Sequence, residues 1–136
     1  MEKELRDKFY GDTIGERIKK VPAELLVDAV GLWQIVSFGR EGFGLSGDKL
    51  VDYVRQHLFA LFAKGAKPVQ GALDGIHIWT LVNYGETPEE MADAIITEWR
   101  NSGKDPDVGS VWFALPHIYN ETLSHDAPRK SKTILS

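Results

Sequence analysis

The 136-residue chain contains no cysteine, which removes disulfides, thiolate zinc sites and thiol nucleophiles from consideration. It also lacks any unbroken apolar run near the roughly 18 residues that a membrane helix requires. Its first seven residues, from Met1 to Asp7, are mostly charged and lack the apolar core of a signal peptide. A cytoplasmic setting, away from membranes, is the expectation that follows. The four histidines, His57, His77, His117 and His125, include no His-x-x-x-His or His-x-His pair. There is no Gly-x-Ser-x-Gly elbow, and no glycine-rich loop ends in Lys-Ser/Thr. No cofactor and no resident metal are expected from these patterns.

Large net charge is missing too, at −4 for the whole chain. Its distribution is uneven, however. Residues 1–85 hold eleven acids and eleven bases, whereas residues 86–107 hold Glu86, Glu89, Glu90, Asp93, Glu98, Asp105 and Asp107 against only Arg100 and Lys104. Such a surface repels a phosphate backbone and argues against nucleic-acid binding. Arg129, Lys130 and Lys132 near the C-terminus form too short a cluster to reverse that.

What remains is ordinary globular material, 43% hydrophobic and 26% charged, enough for one domain over residues 1–136 with a core of its own. The clearest local signal spans residues 83–103. Thr87, Pro88 and Glu90 stand in the order of a capping box with proline at the first helical position. Met91, Ala92, Ile95, Ile96 and Trp99 then recur at helical spacing, and Gly103 follows where a left-handed cap would sit. This predicts a helix over 88–101. A second stripe, Leu50, Val51, Val54, Leu58, Leu61 and Phe62, predicts a helix over 47–64 opened by Ser46 or Asp48 and ended at Gly65.

Residues 3–20 read as a weakly amphipathic helix interrupted by Gly11 and Gly15. From Pro22 the chain is apolar on nearly every side, which predicts a buried helix over 22–38. The competing reading ends that helix near Gly31 and makes 32–38 a short strand, because periodicity alone cannot type so short a run. Residues 39–47 contain four glycines and read as a connecting or ligand-covering loop. After Pro68 the pattern alternates, predicting strands at 68–72 and 76–84 around an Asp74-Gly75 turn and a third at 110–115. The helix over 88–101 acts as a crossover, so the spatial order second, first, third strand would make every neighbour antiparallel. The expected fold class is α+β, with the N-terminal helices packed on a small three-stranded sheet and a polar tail over 117–136.

Several residues have chemistry worth weighing. Arg40 in the glycine segment, Tyr53 and His57 one turn apart on a helix, and His77 on a strand are the weak catalytic candidates, and a cleft at the glycine segment would bring them together. A metal would have to be gathered from His77, His117 and the Asp105/Asp107 pair, which spacing does not support. Asp48/Asp52 and Asp105/Asp107 read as a solvated helix face and a turn. Phe59 points away from the apolar stripe of its helix and Phe43 lies in the glycine segment; exposed, they would mark an interface, but the expectation is that the N-terminal helix or the tail covers them.

Glu86, Glu89, Glu90 and Asp93 cluster where the helix dipole favours negative charge. Dipole matching and solubility explain part of that cluster, and the surplus suggests a docking face. The expected function is a non-enzymatic protein-binding module that uses this acidic helix against a basic protein, as small acidic immunity proteins do. Two alternatives stand beside it. One is a small enzyme or ligand-binding protein with a cleft at 39–47; the other is a structural homodimer joined through the apolar helix or a sheet edge.

Overall fold

A computed structural model describes residues 5–71 and 79–119. Helix α1 (Ile14–Glu24) is followed by β1 (Val30–Gly31), α2 (Leu32–Phe43), α3 (Gly47–Ala63), β2 (Lys67–Gly71), β3 (Trp79–Leu81), α4 (Pro88–Ser102) and β4 (Trp112–Ala114). The fold is α+β, as expected, but the sheet has four strands in the order β1-β4-β2-β3. Every pairing is antiparallel, and β4 lies beside β2 as the crossover argument requires. The extra strand is β1, which pairs Val30 with Phe113 and Gly31 with Trp112. The Asp74-Gly75 turn, residues 76–78 of the second strand, and residues 120–136 of the tail lie outside the described residues.

No helix spans 22–38. Pro22 sits near the end of α1, two residues before Glu24, and the chain then leaves the helix, forms two residues of strand and starts α2 at Leu32. The competing reading had strand and helix in the reverse order. Helix α1 begins later than the weak pattern over 3–20 suggests, because Thr13 caps it. The Thr13 hydroxyl accepts from the Glu16 N–H at 3.1 Å, and Glu16 accepts from the Thr13 N–H at 2.9 Å. Such a box contributes about 1 kcal/mol.

Half of the expected glycine loop is helical. Gly39 and Gly42 lie inside α2 and are buried, and Gly44, in the left-handed region at φ +70°, ends it. Gly39 marks a close approach of helices: a Cβ there would meet Leu50 Cδ1 at 2.7 Å and Tyr53 Cδ2 at 2.9 Å. The loop is thus a packing seam between α2 and α3. Phe43 is buried and Phe59 is partly buried against the core, so neither is an exposed aromatic.

Helix α3 is the hub, packed against α1, α2 and α4. Its Val54, Leu58 and Leu61 are fully enclosed, each contributing about 2 kcal/mol by burial. The pleat of β4 then splits the interior. Phe113 points to the helices, its ring 5.8 Å from that of Phe62. Trp112 and Ala114 point to the opposite face, where they join Val69, Ala29 and Tyr119. Trp112 there meets Trp33 at 6.4 Å and Trp79 at 5.5 Å between ring centroids.

Candidate functional site

The three catalytic candidates among the described residues, Arg40, Tyr53 and His57, are not assembled into one site. Arg40 lies on the surface, where its guanidinium makes a two-point contact with Asp105 at 2.6 and 3.0 Å. That bond raises the Arg40 pKa and holds the Asp105 carboxyl below its usual value. Tyr53 and His57 are buried in the helical core with ring centroids 4.3 Å apart. Burial pushes the Tyr53 phenol above its usual range. It also pushes His57 down to about 4, against a bond from its ring to the Tyr53 carbonyl and with help from the nearby Arg17 charge. His77 lies outside the described residues. A shallow cleft of about 210 Å³ does border the glycine segment, and it contains Arg40 but neither Tyr53 nor His57.

The acidic residues are all exposed, but they divide by what they do. Glu90 is structural: it accepts from the N–H groups of Glu86 and Thr87 while its own N–H donates to the Thr87 hydroxyl at 3.1 Å. Asp93 forms an ion pair with Arg55 of α3. The carboxylates of Glu86 and Glu89 make no hydrogen bond or ion pair among the described residues, so their charge is uncompensated. The capping box read in the sequence is thus present, and it consumes one of the four candidates.

Next to this face the segment over 82–86 runs along α4 and encloses a cleft. Gly85 lets it approach, with φ +142° and a position where a Cβ would lie 2.7 Å from the Glu90 Cβ. Farther along, the Tyr84 hydroxyl donates to Glu98 at 2.7 Å. Burial and the carboxylate partner raise the Tyr84 pKa, so the phenol stays protonated. The cleft has a volume of about 440 Å³ and is lined by Tyr84, Glu98, Trp99, Lys104, Asp105 and Asp107 over an apolar floor that includes Leu32 and Val111. Its size is that of a small-molecule or side-chain pocket. With Asp105 neutralised by Arg40, Glu98 and Asp107 against Lys104 leave the cleft mildly anionic, and the half-buried Tyr84 ring in its wall can meet a cation.

The remaining candidates have structural duties. His117 bonds through Nε2 to the Leu26 carbonyl at 3.0 Å, and Asp107 accepts from the Gly109 N–H at 2.9 Å. No group of three or more metal-ligating side chains occurs among the described residues. Among the same residues no helix is long and apolar enough to cross a membrane. Sequence reasoning missed the cleft because Tyr84 and Glu98 meet only when the segment over 82–86 folds onto the helix that follows it. No protein-family model, curated protein or solved structure matches the chain.

Proposed function

We propose that the chain is a binding module that captures a basic protein, with the first turns of α4 as the docking face and the neighbouring cleft receiving one cationic side chain. The observation that carries this reading is the pair of uncompensated carboxylates, Glu86 and Glu89, standing beside an anionic cleft with aromatic walls. Glu86 follows Tyr84 of the cleft wall by two residues, so a partner surface that reaches along the segment over 82–86 can engage both the start of α4 and the cleft. Long-range attraction would act mainly on encounter rate and partner choice, and desolvation of a lysine or arginine head in the cleft would lengthen the complex's lifetime. The cleft residues are set in advance, Glu98 by Tyr84 and Asp105 by Arg40 and Trp99, which lowers the cost of ordering them on binding.

The test compares the wild type with Glu86→Lys/Glu89→Lys and with Glu98→Gln in affinity purification at low salt, followed by mass spectrometry of retained proteins. The reading requires a basic protein retained by the wild type, released as salt rises, and lost from the double variant while that variant stays folded, its melting temperature lowered only by the few degrees that cations at a helix N-terminus cost. Glu90 and Asp93 are left alone because reversing them would disturb the cap and the Arg55 ion pair. Equal retention by the double variant rejects the acidic face. Equal retention by Glu98→Gln alone rejects the role of the cleft.

A further inference from the structure

Under α1, at the junction of α1, α2 and α3, a second and much smaller chamber lies beside Tyr53 and His57. Val21, Val30, Ile35 and Phe38 form its apolar wall, Arg17, Glu24 and Gln34 its remaining polar one, and the volume is about 20 Å³. Three polar atoms of its lining residues are buried without a partner: Tyr53 Oη, His57 Nε2 and Arg17 Nε. The first two residues are enclosed almost completely, with 2% and 1% of their surface exposed. Buried polar atoms are normally hydrogen-bonded to protein or to ordered water.

The three atoms ask for a specific kind of molecule. His57 Nδ1 lies 2.9 Å from the Tyr53 carbonyl oxygen. A carbonyl oxygen only accepts, so Nδ1 carries the proton and Nε2 presents a lone pair. Arg17 Nε–H only donates, and the Tyr53 hydroxyl does both. The occupant must therefore donate to Nε2, accept from Arg17 and exchange a hydrogen bond with the phenol. A halide cannot donate to Nε2. An ammonium ion cannot accept from Arg17 Nε–H, so it would leave that donor unpaired even with the Glu24 carboxylate in the wall. An apolar gas leaves all three atoms unpaired. A chamber of this volume holds one water molecule, which satisfies every requirement.

We propose that this chamber is a specific internal-water site, in which one water links Arg17 of α1 to Tyr53 and His57 of α3. Arg17 lies along one side of it, its guanidinium 4.1 Å from the centroid of the Phe38 ring and 3.8 Å from Glu24. The water thereby provides a polar link between α1 and the hub helix.

The wild-type protein tests this directly. A crystal structure at high resolution should show one water within hydrogen-bond range of all three atoms, roughly 2.7–3.2 Å. Crystals soaked in sodium bromide should show no anomalous peak there. In solution, oxygen-17 relaxation dispersion should detect a long-lived water that is lost in His57→Phe, while Tyr53→Phe, which keeps the ring, should shorten its residence several-fold. An empty chamber, a bromide peak, a direct Tyr53–His57 side-chain bond, or a relaxation signal unchanged by both substitutions each overturns the proposal.

Discussion

Acid should destabilise this protein through His57 before its carboxylates are titrated. The imidazole is buried and held neutral, with its pKa pushed from 6.5 to about 4. Above pH 6.5 the folded and unfolded states both carry a neutral ring, and stability does not depend on this group. Between pH 6.5 and about 4 the unfolded chain binds a proton that the folded protein refuses, so stability falls as acid is added. Below about pH 4 both states are protonated and the loss is complete. At about 1.4 kcal/mol per pH unit, the whole window removes about 3 kcal/mol, a large share of the roughly 5–15 kcal/mol typical of a domain. Urea unfolding followed by tryptophan fluorescence from pH 7.5 to 4.5, on the wild type and on His57→Phe, reads the effect as the difference in slope. The wild type should lose stability more steeply, with His57→Gln as a second non-titrating control should the Phe variant fold poorly. Parallel curves for wild type and both variants would refute the assignment of a neutral, desolvated His57.

Four further outcomes are expected. Gly39→Ala should lower stability by roughly 1–2 kcal/mol, because overpacking at the α2–α3 seam outweighs the gain in helix propensity. Gly15→Ala, with nothing within 4 Å of the new Cβ, should raise stability by about 0.5–1 kcal/mol; thermal melts of the pair that moved in the same direction would discredit the close approach. Thr87→Ala should cost about 1 kcal/mol by removing the α4 cap, measurable by urea titration. Charge reversal at Glu86 and Glu89 should lower the melting temperature by only the few degrees that cations beside the α4 N-terminus cost, about 0.3–1 kcal/mol each.

The parts of the fold that sequence revealed are those fixed by local chemistry. The α4 capping box and its Gly103 terminus depend on residues within one turn of each other, and α3 carries its own stripe. Antiparallel order followed from one crossover. By contrast, β1 is only two residues long, and its partners, Trp112 and Phe113, lie some eighty residues away, so no periodicity could announce it. Gly39 and Gly42 read as loop because helix propensity penalises glycine, whereas the structure needs their small size against Leu50, Tyr53 and Phe38. Among site residues, the acidic set was legible as charge. Its division into a cap residue, an ion-pair partner and two free carboxylates depends on Arg55, thirty-eight positions from Asp93.

The position of β1 also constrains when the protein can fold. Val30 and Leu32 precede the hub helix itself, yet the Leu32 N–H donates to the Val111 carbonyl and Val30 pairs with Phe113. During synthesis the amino-terminal helices can gather on the hub early, while the strand between them waits for nearly the entire polypeptide. Loop closure over that distance is slow, so a nascent chain halted before residue 111 would carry a loose strand edge at its centre, open to pairing with another copy.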